Sequence, residues 1–441
     1  MNLPIDFTSR MNELLGSDYP EFENAFLNNP NYVGVRVTRA DALPFTKNIL
    51  TDKIPWCENG YYTEKSVISG NHPYHISGLL YFQEPSAMAP VSALPIEPDD
   101  YILDLCAAPG GKSTQAAEKL SSGGLLVANE IIPKRAEILA ENIERLGISN
   151  AIVTNESPER LAKKFPGFFD KIIVDAPCSG EGMFRKEPQA IEEWSIAHTE
   201  ACAVRQQNIL DSAISMLRPG GYLVYSTCTF ASVENEKNAE YILSNYPDME
   251  LAKIHLDGLS DGITPPDCIY DMKNTKRIFP HLAKGEGHFM ALFRKKGELP
   301  KHRCTSGSSK SPEVYTEFEK SFLNKTLSGD FVNYGEHLYY MNKTVNLDKI
   351  KVMRPGLYLG VCKKGRFEPS HALALALSPK DFKNTLPLKS DSDELLKYLH
   401  GEVISCNTNG WTVVLCDGFP IGWGKASGGI LKNHFPKKYR I

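Results

Sequence analysis

The sequence predicts an α/β protein whose core is a doubly wound sheet, with smaller modules before and after it. Between residues 100 and 294, short apolar runs typical of buried strands alternate with longer segments of helical periodicity. Glycine- and proline-containing turns separate these segments, as they do in successive βαβ units. These two observations place the core at residues 76–298.

The predicted elements of the core follow one another in regular order. Strands are expected at 101–105, 125–129, 151–154, 171–174, 222–226 and 289–293, and helices at 113–120, 134–146, 200–217 and 234–244. In such sheets ligands bind at the carboxyl ends of the strands, so residues that follow the strands are the first candidates for a site.

Three further modules flank this core. Residues 1–75 are predicted to form a small α+β domain, with helical spacing up to about residue 30 and a strand at 32–37. A serine-rich stretch at 305–312 is typical of a linker. After it we expect a second small α+β module at 313–377 and a strand- and glycine-rich β-barrel at 378–441.

Composition narrows the class of protein. The chain has 441 residues, of which 42% are hydrophobic and 23% charged, as is ordinary for a globular protein. It has no apolar run of membrane-spanning length and its first residues lack a signal pattern, so we expect a cytoplasmic protein without a membrane partner. The ten cysteines include no CxxC pair and no spacing suited to zinc, which predicts reduced thiols and no metal site.

Charge leaves nucleic acid open as a partner. The net charge of −4 argues against a surface that is basic throughout, but a local basic groove is enough to bind RNA. Residues 425–441 carry five Lys or Arg and no acid, and Phe435 and Tyr439 lie among them. This tail is either an RNA contact or a solvated end.

A loop rich in small residues follows the first core strand and begins a helix, at 104–113. Small residues let a backbone approach a ligand closely. A Walker A loop would need glycine where Cys106 stands, and the dinucleotide pattern GxGxxG is absent. S-adenosylmethionine remains, because it has a ribose diol that a carboxylate can bind, and Glu130 ends the second strand 19 positions after Gly111.

Four motifs occur in order along the core: CAAPGGK at 106–112, DAPCSG at 175–180, RPGGYLVYSTCT at 218–229 and ENE at 234–236. Together they resemble the RNA (cytosine-C5) methyltransferases of the Nop2/Sun family. With its C-terminal extension the chain is most similar to the bacterial members that act on small-subunit rRNA.

The resemblance implies a Rossmann-like class I methyltransferase core, an N-terminal RNA-binding domain and a PUA-like RNA-binding module at 378–441. It implies S-adenosyl-L-methionine as cofactor, RNA as partner and a monomer. The cofactor-binding residues that it implies are Cys106, Ala107, Ala108, Pro109, Gly110, Gly111, Lys112, Glu130, Arg135 and Asp175. Where such enzymes often carry an Asp near the adenine, this chain has Ser157.

Two cysteines are candidates for the reaction. Carbon 5 of cytosine is a poor nucleophile until a thiolate adds at carbon 6. Cys178 follows a proline, as does the nucleophile of DNA cytosine methyltransferases, whereas the family resemblance assigns attack to Cys228 and product release to Cys178. The resemblance and the position on the same loop suit Asp175 to hydrogen-bond the pyrimidine ring.

The loop at 180–186 contains Phe184, Arg185 and Lys186, which suit base stacking and phosphate pairing, although a plain surface loop has the same composition. Two other functions stay open: a tRNA cytosine methyltransferase, and a non-catalytic RNA-binding ribosome-assembly factor. The presence of Cys228, Cys178 and Asp175 argues against the second.

Overall fold

The computed structural model describes residues 2–298 and 309–441, so the first half of the predicted linker at 305–312 lies outside the described residues. One-turn 3₁₀ segments are left unnumbered below. The N-terminal region folds into α1 (Ile5–Leu15), α2 (Tyr19–Asn28), β1 (Val33–Val37), α3 (Leu43–Thr46), β2 (Gly60–Thr63), α4 (Pro73–Ile76) and β3 (Leu80–Phe82). β1 lies between β2 and β3 in an antiparallel sheet, so this sheet continues past residue 75 to Phe82.

The core follows the predicted alternation. Its elements are α5 (Ala89–Ala93), β4 (Tyr101–Asp104), α6 (Gly111–Ala117), β5 (Leu125–Asn129), α7 (Pro133–Arg145), β6 (Ala151–Thr154), α8 (Pro158–Lys164), β7 (Phe169–Asp175), α9 (Pro188–Glu193), α10 (Ile196–Met216), β8 (Leu217–Thr227), α11 (Glu236–Asn245), β9 (Met249–Ala252), β10 (Ser260–Asp261), β11 (Lys276–Ile278) and β12 (His288–Lys295). The short strands β9 to β11, at the edge of the sheet, were not predicted.

The order of the strands puts β4 at the centre of the sheet. Along the sheet the order is β10-β11-β12-β8-β7-β4-β5-β6, and β8, β7, β4, β5 and β6 are parallel to one another. The chain leaves β4 toward β5 and returns on its other side as β7, which is the switch point where open α/β sheets bind ligands. The predicted doubly wound fold class is confirmed.

Both faces of this sheet are buried, which explains the unbroken apolar runs in the sequence. Leu103 and Ile172 belong to a cluster on one face, and their neighbours Ile102 and Ile173 belong to the cluster on the other. All four side chains are inaccessible to solvent. The strands are therefore fixed in register, and so are the residues at their ends.

The C-terminal half consists of α12 (Glu313–Phe322), β13 (Asp330–Tyr334), β14 (His337–Met341), β15 (Val352–Arg354), β16 (Leu357–Lys363), β17 (Arg366–Pro369), α13 (His371–Ala376), β18 (Thr385–Leu388), α14 (Asp393–His400), β19 (Ile404–Ser405), β20 (Gly410–Cys416), β21 (Phe419–Ser427) and β22 (Ile430–Asn433). β13, β14, β16 and β17 form one sheet, and β18 to β22 form another in the order β18-β20-β21-β22-β19. β15 instead pairs antiparallel with β6 and extends the core sheet.

The two ends of the chain pack against each other. One buried cluster joins Val35 and Leu80 of the N-terminal sheet to Leu395, Tyr398 and neighbouring side chains of the C-terminal module. Across residues 2–298 and 309–441, none of the helices has the length and apolar character needed to cross a membrane.

Candidate active site

A cavity of about 710 Å³ opens where β4, β5, β7 and β8 end. Seven of the predicted site residues line it: Cys106, Ala108, Glu130, Arg135, Asp175, Cys178 and Cys228. The sheet thus brings together, in one cavity, residues that lie up to 122 positions apart in the sequence.

The other five predicted residues, Ala107, Pro109, Gly110, Gly111 and Lys112, are not among those that line the cavity. Gly110 caps the start of α6 with φ of 116°, a conformation that favours glycine. The carbonyl of Gly111 accepts a hydrogen bond of 3.1 Å from the fully buried guanidinium of Arg36, on β1. The loop is therefore held from behind by the N-terminal domain, a contact that sequence reasoning missed because the two segments are 75 residues apart.

Asp175 ends β7 and is held by groups on three sides. Its Oδ2 is 2.8 Å from Lys112 Nζ, its Oδ1 accepts a 2.8 Å hydrogen bond from Ser226 Oγ, and His288 Nε2 lies 3.5 Å from Oδ1. Burial raises the pKa of Asp175, but Lys112 and His288 together more than offset it, so the pKa ends below its ordinary value. Asp175 is therefore an ionised hydrogen-bond acceptor at neutral pH.

The two candidate thiols are in contact. Cys178 follows β7, Cys228 follows β8, and their sulfur atoms are 3.4 Å apart on the cavity wall. The contact with Cys228, together with burial, raises the pKa of Cys178 well above its ordinary value. Cys178 consequently keeps its proton and can donate a hydrogen bond to the sulfur of Cys228.

The opposite end of the cavity combines a carboxylate with exposed apolar surface. Glu130 is buried at the end of β5, where its Oε1 accepts from the backbone N–H of Ile132 at 2.9 Å and its Oε2 lies 3.5 Å from Arg135. Ile131 and Ile132 line the cavity with 58% and 47% of their surface exposed. Apolar side chains left open beside a carboxylate suit a flat ring attached to a diol.

Asn155 organises this end of the cavity, although no sequence pattern pointed to it. Its amide donates to the carbonyls of Glu130 and Ile131, at 2.7 and 2.9 Å. Ser157 caps α8 by accepting from the N–H of Arg160, and its neighbours Pro158 and Glu159 line the cavity. Its position near the adenine stays a prediction.

The loop at 180–186 differs from its predicted role. Phe184 is fully buried and its ring centroid lies 5.3 Å from that of Phe7, so the interpretation of Phe184 as a base-stacking residue is wrong. The Arg185 side chain is only 7% exposed; it donates to the carbonyl of Asn29 and lies 3.5 Å from Glu286. Phe184 and Arg185 thus attach the loop to the N-terminal region, whereas Gly180 and Met183 of the same loop line the cavity.

Among residues 2–298 and 309–441 there is no group of three or more His, Cys, Asp or Glu side chains arranged to hold a metal ion.

Family models match nearly all of the described sequence. The model described as "16S rRNA methyltransferase RsmB/F" matches residues 91–294, and three RsmF models match the rest: its N-terminal domain at 3–85, its first C-terminal domain at 317–377 and its PUA domain at 383–441. The ribosomal RNA small subunit methyltransferase F of Aeromonas salmonicida is 32% identical over 410 residues, which cover 88% of this chain and 85% of that protein. The chain belongs to the RsmF family of 16S rRNA methyltransferases.

Further relatives agree with this placement. The protein of the same name from Shewanella piezotolerans is 33% identical over 411 residues, covering 88% of this chain and 85% of that protein. A methyltransferase homologue from Pyrococcus horikoshii has 29% identity and a TM-score of 0.59, covering 66% of this chain and 94% of its own. The structure of NSun6 from P. horikoshii with SFG, at 23% identity and a TM-score of 0.55 over 67% of this chain and 99% of its own, shows the same fold. The family resemblance and the methyltransferase class are confirmed.

Proposed function

We propose that this RsmF-family enzyme transfers a methyl group from S-adenosylmethionine to carbon 5 of a cytosine in 16S rRNA, through a covalent bond between Cys228 and carbon 6. One observation carries the proposal: the two cysteine sulfurs lie 3.4 Å apart on a cavity wall beside the ionised Asp175. A paired thiol and carboxylate suit addition to a pyrimidine ring better than transfer to oxygen or nitrogen, which needs no covalent nucleophile.

The cofactor fits the β5 end of the cavity. Glu130 Oε2 can accept hydrogen bonds from the ribose hydroxyls. The exposed side chains of Ile131 and Ile132 can pack against the adenine ring. Arg135 donates to the carbonyl of Ala108 at 2.8 Å and so keeps the loop after β4 close to Glu130. When bound here, S-adenosylmethionine supplies an electrophilic methyl group on its sulfonium.

Attack is assigned to Cys228, as the family resemblance implies. Cys178 retains its proton and can donate a hydrogen bond to the Cys228 sulfur, which lies 3.4 Å away. The Cys228 sulfur adds at carbon 6, and electron density moves to carbon 5, which accepts the methyl group. Loss of the carbon 5 proton then expels the Cys228 thiolate from carbon 6, and Cys178 lies close enough to assist this step. The geometry supports the division of roles that the family resemblance implies.

Asp175 and Lys112 support the ring during this step. An ionised Asp175 can accept a hydrogen bond from the amino group of cytosine, and the Lys112 ammonium 2.8 Å away offsets the carboxylate charge next to the developing negative charge. The target carbon is hidden in a base stack, so the cytosine must be unpaired or flipped into the cavity.

The substrate assignment comes from the family. Relatives that cover 88% of this chain are named small-subunit rRNA methyltransferases, and the match to the RsmF PUA domain favours rRNA over tRNA. The intact pair of thiols disfavours a purely binding role in ribosome assembly. The monomeric state and the cytoplasmic location stay predictions.

The two cysteines can be separated experimentally. We expect Cys228→Ala to lower methyl transfer to 16S rRNA by at least 10³-fold, because no thiol then activates carbon 5. We expect Cys178→Ala to accumulate an RNA–protein complex that survives denaturing gel electrophoresis. Labelled methyl groups from S-adenosylmethionine and the gel shift measure the two effects, with Cys362→Ala, a thiol in the C-terminal module, as the matched control.

Three results would contradict the proposal. A stable complex in Cys228→Ala and none in Cys178→Ala would exchange the two roles. Methyl transfer unchanged in both variants would exclude covalent catalysis, and label at a position other than carbon 5 of cytosine would exclude the reaction.

A further inference from the structure

We propose that Glu234 is the positioning residue that sets the separation of Cys178 and Cys228, by joining the loop of one to the loop of the other through Ser179 and Thr229. The inference goes beyond the proposed function and rests on it for the roles of the two thiols. It concerns Glu234, in the ENE motif that begins just before α11, a residue to which the proposed mechanism gives no role.

The Glu234 carboxylate is fully buried and accepts three hydrogen bonds. Oε1 accepts from Ser179 Oγ at 2.5 Å, and Oε2 accepts from the Ser179 N–H at 3.0 Å and from Gln206 Nε2 at 2.9 Å. Two of the three donors belong to Ser179, the residue immediately after Cys178. A buried carboxylate with three donors is held in one orientation and holds its partners in turn.

Gln206 also binds the Cys178 loop. Its amide also donates to the carbonyl of Pro177 at 3.0 Å, so the residues on either side of Cys178 are both fixed. The other end of the Gln206 amide accepts from Tyr225 and Asn238, at 3.0 and 2.7 Å, which fixes its orientation. Cys178 itself is left free to face the cavity.

The connection to the second thiol runs through Thr229. Ser179 Oγ is 2.9 Å from Thr229 Oγ1, and Thr229 immediately follows Cys228. Because the Ser179 hydroxyl donates to Glu234, the Thr229 hydroxyl is the donor to Ser179. The N–H of Gly182 also donates to the carbonyl of Cys228 at 2.8 Å, which adds a second link between the loops.

These hydrogen bonds act on the distance between the two thiols. Cys178 and Cys228 end neighbouring parallel strands, but strand pairing stops at Asp175 and Ser226, before either thiol. Beyond that point the 3.4 Å contact depends on the loops, and Glu234 holds the Cys178 loop through two hydrogen bonds from Ser179. A shift of about 1 Å at a catalytic group is enough to lower a rate 10²-fold.

The first test uses the protein without RNA or cofactor, so that it does not depend on the methyl-transfer reaction. Phenylarsine oxide condenses with two neighbouring thiols: two As–S bonds form, and the two thiol protons leave with the arsenical oxygen as water. Wild-type protein should take up one equivalent that Cys178→Ala does not. We expect Glu234→Gln and Ser179→Ala each to take it up at least fivefold more slowly.

Glu236→Gln is the matched control, since it removes another buried carboxylate two residues away, one bonded to Arg277 and to neither cysteine loop. Circular dichroism establishes that each variant is folded, and Ser179→Ala carries the test if Glu234→Gln is not. Uptake by Glu234→Gln and Ser179→Ala at the wild-type rate would overturn the proposal, as would equal slowing in Glu236→Gln.

The second test follows the fate of the covalent complex. Glu234→Gln should shift the balance toward the complex that Cys178→Ala accumulates, with the fraction of trapped protein raised at least threefold over wild type and over Glu236→Gln. An unchanged fraction would overturn the proposal. If wild-type protein forms no methylated RNA although the arsenical result holds, the proposed function fails and the positioning role stands.

Discussion

At the scale of single residues, the candidate site combines two carboxyl groups whose pKa values the fold shifts in opposite directions. Asp175 is kept ionised by Lys112 and His288. Asp104, at the end of β4, is fully buried, and this burial raises its pKa to about 7 although Ser113 donates to it at 2.6 Å. Asp175 is thus an ionised acceptor on the cavity wall, whereas Asp104 binds a proton below about pH 7.

Asp104 should make the stability of the protein depend on pH. Between about pH 4 and pH 7 the folded protein binds a proton at Asp104 that the unfolded chain does not, so the free energy of unfolding falls as pH rises through this range. Asp104→Asn removes this titration. We expect the free energy of unfolding of the wild type minus that of the variant to fall by on the order of 3 kcal/mol from pH 4.5 to pH 8.

Urea unfolding across this pH range measures the effect. Subtracting the variant's free energy of unfolding cancels the titration of all other groups. Asp99→Asn, an exposed acid near the start of the same strand, is the control. A constant difference for Asp104→Asn would contradict the prediction.

Lys112 should determine the acidic limit of activity. In Lys112→Met the burial of Asp175 is no longer offset by the ammonium, so the pKa of Asp175 rises. In the proposed mechanism activity depends on ionised Asp175 and is lost as pH falls through this pKa, so the acidic limb of the pH–rate profile should move to higher pH. Single-turnover methyl transfer between pH 5 and 8 measures the shift, with Lys119→Met, an exposed lysine just after α6, as control. Superimposable profiles would contradict this role.

The sequence predicted Asp175, Cys178 and Cys228 because each stands in a motif directly after an apolar strand, where chemistry and position are both readable. It could not predict Arg36, Asn155 or the role of Glu234, because each acts through a hydrogen bond to a residue 24 or more positions away. Phe184 was misread for a related reason: an aromatic in a glycine-containing loop has the same local pattern whether it faces RNA or the N-terminal helices.

At the scale of elements, helix α7 is the part of the core on which the flanking modules meet. Gly78, before β3, lies against the carbonyl of Arg145, and α13 of the C-terminal half lies against the end of the same helix. β15 adds to the edge of the sheet beyond β6, where Arg354 is fully buried and donates to the carbonyl of Ile148. A strand of three residues such as β15 is too short to show a periodicity, which is why it escaped prediction while β5 and β6 were predicted to the residue.

Gly147 tests this junction. It has φ of 66°, and a Cβ there would lie 2.3 Å from the carbonyl oxygen of Leu375, at the end of α13. Gly147→Ala should therefore lower the free energy of unfolding by about 3 kcal/mol, the sum of backbone strain and a forced shift of α13. Gly167→Ala is the matched control, because φ is 54° but no atom lies within 4 Å of the added Cβ, and it should cost about 1 kcal/mol. Equal losses in the two variants would show that α13 is not pressed against Gly147.

At the scale of the whole molecule, the N-terminal sheet and the C-terminal module share one buried cluster although they are some 300 residues apart in sequence. Ion pairs also attach both ends of the chain to the core. Arg36 pairs with Glu118 of the core, and Lys438 of the basic tail lies 2.7 Å from Glu141 on α7. For the basic tail at 425–441, the sequence allowed either an RNA contact or a solvated end. In the structure this tail is in part a contact with the core. The modules that bracket the methyltransferase core should therefore not unfold independently.

Two adjacent leucines on α14 test this coupling. Leu395 is 1% exposed within the shared cluster, and Leu396 is 47% exposed on the opposite side of the helix. Leu395→Ala should lower the free energy of unfolding by about 3 kcal/mol, whereas Leu396→Ala should change it by less than about 0.5 kcal/mol. Because Leu395 packs in the same cluster as Val35 and Leu80, its truncation should also speed proteolytic cleavage within residues 31–85, far from the substitution in sequence. Urea unfolding and mass-spectrometric mapping of the first cleavage sites measure both effects, and cleavage confined to the C-terminal module would show that the two ends of the chain are stable separately.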